Sequence, residues 1–115
     1  MDWDVLFDDE FAEWFETLDE DLQDEIIART NLVKQCGPRL GRPYVDTVEG
    51  SVFANMKELR VQHRGSPWRI LFAFDAARAA ILLVGGCKRG DTRWYKTQIP
   101  IADERFRRHL KRLER

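Results

Sequence analysis

The sequence predicts an α+β fold with the element order β-α-α-β-β-β-α, in which an antiparallel sheet packs against two N-terminal helices and a C-terminal helix. Apolar residues recur at helical spacing near both ends of the chain, whereas they alternate with a period of two between residues 56 and 74. Residues 37–54 separate these regions. They hold three of the seven glycines and two of the four prolines, so they are predicted to be mainly loop.

The first strand and the first helix are predicted from residues 3–18. The segment WDVLF, residues 3–7, is rich in β-forming residues and is followed at once by acids, which favours a short strand. Asp8 or Asp9 then suits the N-cap of a helix. Its apolar residues fall at i, i+3, i+4 and i+7 and are Phe11, Trp14, Phe15 and Leu18. Rings at this spacing indicate a core face rather than a ligand site.

A second helix is predicted to follow and to end at Gly37. Its apolar side carries Leu22, Ile26 and Val33. Gly37 and Pro38 end the pattern, because glycine suits a helix C-terminus and proline cannot continue a helix.

Three consecutive strands and a final helix are predicted for the second half. Residues 56–63 alternate between an apolar face and a polar face, and residues 68–74 return after the turn RGSP. The segment AAILLV, residues 79–84, is apolar on both faces, which places it centrally in the sheet. Residues 99–115 show helical spacing, with Pro100 suited to the first turn.

Composition indicates one soluble domain, residues 1–115, in the cytoplasm. With 43% hydrophobic and 34% charged residues the chain resembles an ordinary globular protein. No apolar stretch approaches the roughly 20 residues of a membrane span, and the first ten residues are acidic, unlike a secretory signal. Two cysteines and two histidines show no metal-binding spacing, so we expect no disulfide, metal or other cofactor.

Charge is distributed very unevenly along the chain. Residues 1–30 contain twelve acids and one base, a net charge of −11, whereas residues 55–115 contain fifteen bases and six acids, a net charge of +9. A one-signed surface attracts partners of the opposite sign, so the basic half predicts a polyanion or an acidic protein as partner. Alternatively, the acidic helices simply face a basic sheet within the fold.

The segment GGCKRGDTRWYK, residues 85–96, combines glycines, cations and rings, and we call it the cationic segment. Its glycines, Gly85, Gly86 and Gly90, permit either close backbone approach to a bulky ligand or turn geometry alone. Its cations are Lys88, Arg89, Arg93 and Lys96, which suit phosphate oxygens, and its rings are Trp94 and Tyr95, on which a base can stack. This combination predicts binding of single-stranded RNA.

The predicted hairpin of residues 56–74 is a second source of cations. It carries Lys57, Arg60, His63, Arg64 and Arg69 on adjacent antiparallel strands. If the sheet brings the hairpin and the cationic segment together, they form one basic surface. The alternative is a solvated charged edge that discourages strand pairing.

These segments resemble the RelE/ParE superfamily of bacterial toxins, and within it the HigB branch, also described as phage Gp49-like. The resemblance rests on KELRVQHRGSPWRILFAF, ILLVGGCKRG and PIADERFRRHL, in this order, and it spans nearly the whole chain. It implies a RelE-like fold. It also implies the toxin of a type II toxin-antitoxin pair, a ribosome-dependent messenger RNA endonuclease that inhibits translation.

The resemblance further implies how such a toxin works and what silences it. Relatives of this type use no metal, and the RNA's own 2′-hydroxyl attacks the adjacent phosphate. The expected partners are the ribosome, messenger RNA and a HigA-like antitoxin with a helix-turn-helix domain, through which the pair binds promoter DNA. The ParE branch shares the fold but inhibits DNA gyrase, and a non-catalytic RNA- or protein-binding domain of the same fold is a third reading.

Individual residues carry the resemblance to different extents. Arg69 matches the arginine of the second hairpin strand, and Arg89 matches the one that leaves the last strand. Tyr95, six residues after Arg89, stands where the RelE branch has a tyrosine at the same spacing. Lys57 and Arg60 match the basic first hairpin strand.

The chemistry of RNA cleavage agrees with these assignments. Attack by a 2′-hydroxyl builds negative charge on phosphorus, which two fixed guanidiniums, those of Arg69 and Arg89, would stabilise in the transition state. His63 is the candidate for proton transfer because an ordinary histidine titrates near neutral pH, although a structural or idle role is equally open. Tyr95 is either a base whose pKa is lowered by nearby cations or a ring that stacks on a nucleotide.

Overall fold

The computed structural model describes residues 2–114 and confirms the α+β class. Its elements follow in the order β1 (Asp4–Phe7), α1 (Asp9–Glu16), α2 (Glu20–Cys36), a 3₁₀ turn (Gly37–Arg39), β2 (Val45–Thr47), β3 (Met56–His63), β4 (Ser66–Phe74), β5 (Ala79–Cys87) and α3 (Trp94–Leu113).

The sheet has five strands in the order β1-β5-β4-β3-β2. The predicted hairpins pair antiparallel, and β5 is flanked on both sides as its apolar pattern indicated. Two features differ from the prediction. β1 pairs parallel to β5, so the sheet is mixed rather than purely antiparallel. β2 was not predicted, because three residues within a stretch rich in glycine and proline are too few to show alternation.

Helices cover both faces of the sheet and create two separate cores. On one face α1 and α2 pack against β3, β4 and β5, with Phe11, Ile26, Leu59 and Phe72 among the fully buried side chains. On the other face α3 packs against the same strands through Trp94, Ile99, Ala102 and Phe106. Successive side chains along a strand point to opposite faces of the sheet, so they pack alternately against α1 and α2 or against α3.

The final helix begins earlier than the sequence predicted. α3 starts at Trp94, so Pro100 lies inside the helix rather than in its first turn. Proline lacks an N–H and removes the helical hydrogen bond to the carbonyl of Lys96. The exposed position of Pro100 leaves that carbonyl near solvent, and burial of Trp94 anchors the preceding turn. Among residues 2–114, no helix combines the length and apolar character that a membrane crossing requires.

Two consecutive glycines of β5 make room for two tryptophans. A Cβ on Gly85 would lie 2.6 Å from the Trp14 ring of α1, and one on Gly86 would lie 2.8 Å from Nε1 of Trp94 in α3. The glycines therefore allow a large ring to pack on each face of the strand. Neither of the two readings from sequence, ligand approach or turn geometry, applies to them. Gly90 does adopt a turn conformation, with φ of 70°.

Ion pairs join the start of α1 to the C-terminal half of α3. Arg108 contacts Asp8 at 3.1 Å and Glu10 at 2.8 Å, and Arg105 contacts Glu10 at 3.2 Å. The hydrogen bond from Arg108 lowers the pKa of Glu10 below its ordinary value. The bases that these acids contact belong to a helix, whereas the alternative reading of the charge pattern placed the acidic helices against a basic sheet.

Candidate active site

The buried carboxylate of Glu58 on β3 forms the centre of the candidate active site. Glu58 is only 5% exposed. Its Oε2 accepts a hydrogen bond from Nη1 of Arg60 at 2.9 Å, and its Oε1 lies 3.7 Å from Nε of Arg69. Oε1 also accepts a hydrogen bond from the hydroxyl of Tyr95. We call Glu58, Arg60, Arg69 and Tyr95 the Glu58 cluster.

Strand alternation and sheet register bring the Glu58 cluster together. Glu58 and Arg60 lie two residues apart on β3, and they share with Met56 the face that α3 covers. Arg69 is the direct antiparallel partner of Arg60 on β4. Tyr95 enters from the first turn of α3, which lies over this face. Three elements that are distant in sequence therefore supply one site.

Arg69 is buried but incompletely paired. Its Nη1 donates to the backbone oxygen of Trp68 at 2.9 Å, whereas its buried Nε has no hydrogen-bond partner within residues 2–114. The single negative charge of Glu58 faces the two positive charges of Arg60 and Arg69, so the cluster has a net charge of +1. A buried donor without a partner and an excess positive charge both favour an anionic ligand.

The environment of Tyr95 raises the pKa of its hydroxyl from 10.0 to about 12. Partial burial is the largest cause, and the hydrogen bond to Glu58 and its negative charge act in the same direction, while Arg69 opposes them. Such a phenol stays protonated at neutral pH. Tyr95 is therefore placed to donate a hydrogen bond or a proton. A role as base would require the nearby cations to lower its pKa below 10.0, and the net shift is in the opposite direction.

Two open clefts flank the Glu58 cluster. The first, which we call the arginine cleft, has a volume of about 260 Å³ and is lined by Arg29, Pro43, Tyr44, Arg60, Gln62 and Arg69. The second has a volume of about 280 Å³ and is lined by Thr47, Val48, Glu49, Glu58 and Tyr95. Because each cleft contributes two members of the cluster, a ligand that occupies both would contact all four side chains.

Arg89 and Arg64 lie at the tip of the β3–β4 hairpin. Nη2 of Arg89 donates to the backbone oxygen of Gly65 in the turn. Arg64 forms an exposed ion pair with Asp21 of α2, with 2.5 Å between Nη2 and Oδ2. The structure thus brings the hairpin and the cationic segment together, as the sequence suggested. The residue that directly faces Arg69, however, is Arg60 rather than Arg89.

His63 and Lys57 lie on the opposite face of the sheet from the Glu58 cluster. Both lie an even number of residues from Leu59 on β3, so their side chains share the face on which Leu59 packs under α1 and α2. His63 borders a cleft next to the α1–α2 connection, and Nζ of Lys57 lies 3.5 Å from the hydroxyl of Thr47. The sequence grouped His63 with Arg69 because both belong to one hairpin, but strand alternation separates them.

The remaining side chains of the cationic segment divide into buried and exposed groups. Trp94 is 4% exposed, so its ring has no free face on which a base could stack, and it is a core residue instead. Arg93 and Lys96 are exposed at the start of α3. Nζ of Lys88 lies 5.4 Å from the centroid of the Tyr95 ring and adds a cation near the cluster.

Glu58 belongs to the candidate site although the sequence analysis does not predict it. Alternation places Glu58 on the polar face of β3, where glutamate is ordinarily solvated. One signal was available: residues 57–64 contain a single acid among Lys57, Arg60, His63 and Arg64. An isolated carboxylate in a basic strand has several possible counter-charges, which offset the cost of its burial.

Comparison with known proteins agrees with this architecture. The family model described as "Phage derived protein Gp49-like (DUF891)" matches residues 13–107. The chain belongs to the Gp49-like family. This Gp49-like protein is 53% identical over 93 residues to "Putative toxin HigB3" of Mycobacterium tuberculosis, an alignment that covers 80% of each chain. It is 48% identical over 103 residues to "Putative toxin HigB2" of the same organism, covering 88% of this chain and 51% of that protein.

A solved structure supports the fold assignment independently. The Gp49-like protein resembles the free state of an Escherichia coli toxin RelE mutant, in which two arginines are replaced by alanine, with a TM-score of 0.58. The match covers 82% of this chain and 92% of that one. The sequence identity is 13%, so this likeness shows a shared RelE-type fold. The family and fold expected from the hairpin, the strand β5 and the C-terminal segment are both confirmed.

Proposed function

We propose that this Gp49-like protein is the toxin of a type II toxin-antitoxin pair and cleaves messenger RNA on the ribosome. The observation that carries the proposal is the Glu58 cluster, which places a carboxylate, two guanidiniums and a protonated phenol beside two open clefts. Homology to proteins named as HigB toxins supports the toxin role.

Glu58 serves as the base in this proposal. The 2′-hydroxyl of the nucleotide before the scissile phosphate gives its proton to the carboxylate while its oxygen attacks phosphorus. Arg69 and Arg60 face the developing negative charge. Nε of Arg69 lies 3.7 Å from Oε1 of Glu58 but makes no hydrogen bond within residues 2–114, so it has donor capacity left. Fixed guanidiniums stabilise the transition state more than the ground state, because charge on phosphorus is greatest there.

Tyr95 serves as the acid. The bond from phosphorus to the leaving 5′-oxygen breaks as the phenol supplies a proton to that oxygen, which leaves a 2′,3′-cyclic phosphate and a 5′-hydroxyl. The raised pKa of Tyr95 keeps the phenol protonated for this role. The hydrogen bond between Tyr95 and Glu58 then returns the proton from the carboxylate to the phenol. Protons and bonds balance with these side chains alone.

The test is transcript mapping in a reconstituted translation reaction. We expect purified protein to produce cuts within codons of the translated message, detected by primer extension, and to leave the same transcript intact without ribosomes. Intact transcripts in the presence of folded protein and active ribosomes would contradict the proposal. DNA breaks and loss of supercoiling in that case would point to gyrase instead.

The proposed partner is a HigA-like antitoxin with a helix-turn-helix domain, and the proposed place of action is the cytoplasm, where ribosomes translate. The names of the relatives support a HigB-type pairing. We expect co-expression of the neighbouring antitoxin gene to restore growth and to yield a stable complex on copurification. Growth inhibition that no adjacent gene relieves would count against this partner.

A further inference from the structure

The segment between β2 and β3 runs along α3, and we call its residues 48–53 the strap. It meets one face of the helix, at positions three or four residues apart. From its first residue to its last, the strap meets Tyr95 across the second cleft, then Ile99, Asp103 and Phe106. The strap and the helix are therefore joined over about three turns rather than at one point.

Asp103 is the polar contact between α3 and the strap. Its Oδ1 accepts a hydrogen bond from the Ser51 hydroxyl at 2.5 Å, and its Oδ2 accepts one from the Val52 N–H at 3.1 Å. The Ser51 oxygen in turn accepts a hydrogen bond from the Phe53 N–H at 2.9 Å. One carboxylate thus fixes three consecutive residues of the strap.

These two hydrogen bonds explain why an aspartate occupies this position. Asp103 is only 7% exposed, and burial of a carboxylate is costly unless hydrogen bonds replace those to water. A carboxylate offers two acceptor oxygens, whereas the amide of asparagine offers one and adds a donor group. Asparagine would therefore leave either Ser51 or Val52 without its acceptor.

The strap and α3 both line the second cleft of the candidate site. This cleft has a volume of about 280 Å³, and its lining includes Val48 and Glu49 of the strap, Tyr95 of α3 and Glu58 of β3. Asp103 lies about two turns after Tyr95 on the same helix and is not part of the lining. It can therefore act on the cleft through the strap rather than by contact with a ligand.

We propose that Asp103 is a positioning residue, which holds the strap against α3 and so sets the width of the cleft where Tyr95 and Glu58 meet the RNA. While the strap is held, it covers part of the Tyr95 phenol. When the strap is released, the phenol becomes more exposed and its distance from the substrate varies. The inference rests on the proposed RNA cleavage for its biological meaning, but the state of the cleft can be measured without cleavage.

Titration of the Tyr95 phenol measures the cleft in the absence of RNA. In the Tyr44→Phe background, Asp103→Asn should lower the pKa of Tyr95 from about 12 toward 10.0, because burial is the largest cause of the shift. Asp24→Asn makes the same change at an exposed position of α2 and should leave that pKa at about 12. Ser51→Ala removes one of the two hydrogen bonds and should give an intermediate value. Circular dichroism at each pH verifies that the variants are folded where the phenol titrates.

Cleavage and binding then separate positioning from recognition of RNA. Single-turnover cleavage on programmed ribosomes should slow by about 10- to 100-fold in Asp103→Asn, the cost of a misplaced reacting group. Affinity for 2′-O-methyl RNA, whose blocked 2′-oxygen prevents cleavage, should change by less than about twofold, because a positioning residue affects the rate more than the binding. A purely structural role would reduce the rate and the affinity together.

This inference and the proposed cleavage fail in different ways. An unchanged pKa of Tyr95 in folded Asp103→Asn and Ser51→Ala would overturn the positioning role, even in a protein that cuts transcripts. Equal losses of cleavage rate and RNA affinity would also count against it. A lowered pKa in both variants of a protein that cuts no transcript would support the role of the strap and overturn the proposed cleavage.

Discussion

At the scale of single residues, the central question is why a glutamate is buried in a basic strand. Burial of a carboxylate is costly unless it is paired and hydrogen-bonded, and Glu58 meets both conditions through Arg60, Arg69 and Tyr95. Replacement of a buried ion pair by well-packed hydrophobic residues is often neutral or stabilising in proteins, so stability alone does not explain the choice. A carboxylate among guanidiniums and a phenol is better explained by proton transfer next to an anionic substrate.

Replacement of Glu58 by glutamine tests its role as base. Glu58→Gln keeps the shape of the side chain but cannot accept the 2′-proton, so we expect the cleavage rate to fall by about 10²- to 10⁴-fold. Single-turnover cleavage on programmed ribosomes measures this loss. Glu13→Gln makes the same change on the exposed surface of α1 and should retain full activity. A folded Glu58→Gln protein with wild-type activity would remove Glu58 from the mechanism.

Titration of Tyr95 tests the environment of the proposed acid. Because its pKa is raised to about 12, the phenol stays neutral well above the ordinary value of 10.0. In Tyr44→Phe, Tyr95 is the remaining tyrosine of the two. The rise in tyrosinate absorbance of this variant should therefore have a midpoint near 12 in folded protein and move down toward 10.0 in denaturant.

The same shift predicts how stability depends on pH. A raised folded pKa means that the neutral phenol is favoured by folding, so this stabilisation is complete below about pH 10 and is lost as pH rises toward 12. The stability difference between wild type and Tyr95→Phe should narrow over that window. A constant difference would show that Glu58 and burial do not hold the phenol neutral.

At the scale of elements, the sequence allowed prediction of those that carry a long periodic pattern. The stretches that became α1, α2, β3 and β4 each showed such a pattern, and β5 was predicted from a continuous apolar run. The three residues of β2 were too short to show one, and the start of α3 was missed because Pro100 looked like a boundary. The site followed the same rule. The resemblance predicted Arg69 and Tyr95, which lie in the candidate site. The separation of His63 from them depends on which face of β3 each residue occupies, and this is not visible from the positions of the cations alone.

Gly86 links β5 to the position of Tyr95. A Cβ there would lie 2.8 Å from Nε1 of Trp94, so Gly86→Ala must displace the ring that anchors the first turn of α3. We expect a loss of about 1–3 kcal/mol in unfolding free energy, typical of overpacking, together with reduced cleavage because Tyr95 follows Trp94. Urea denaturation and transcript cleavage measure the two effects.

Gly41→Ala is the matched control for this substitution. No atom lies within 4 Å of a Cβ at Gly41. Its effect should therefore stay within about 0.5 kcal/mol. Equal losses for Gly86→Ala and Gly41→Ala would show that the packing of Trp94 does not limit stability.

At the scale of the whole molecule, the net charge of −1 conceals two kinds of base. In the C-terminal half of α3, Arg105 and Arg108 pair with acids at the start of α1, and Arg107 pairs with Glu104. At the hairpin tip Arg64 pairs with Asp21, whereas Arg89 is exposed and bound to the backbone carbonyl of Gly65 rather than to an acid. Whether a cation is available to a polyanion depends on its place in the fold and on its ion pairs. Neither can be read from the amino-acid composition.

This division predicts that two arginines of equal formal charge contribute differently to RNA binding. Loss of a cation that contacts phosphate reduces the salt dependence of binding to single-stranded RNA by about 0.7 in the slope of log affinity against log salt concentration. We expect this change for Arg89→Ala and none for Arg107→Ala, although both lower the net charge by one. Anisotropy titrations with 2′-O-methyl RNA at several salt concentrations measure both slopes. Equal changes in the two slopes would mean that RNA binding depends only on the net charge of the protein. A change confined to Arg89→Ala would show that the RNA passes along the hairpin tip.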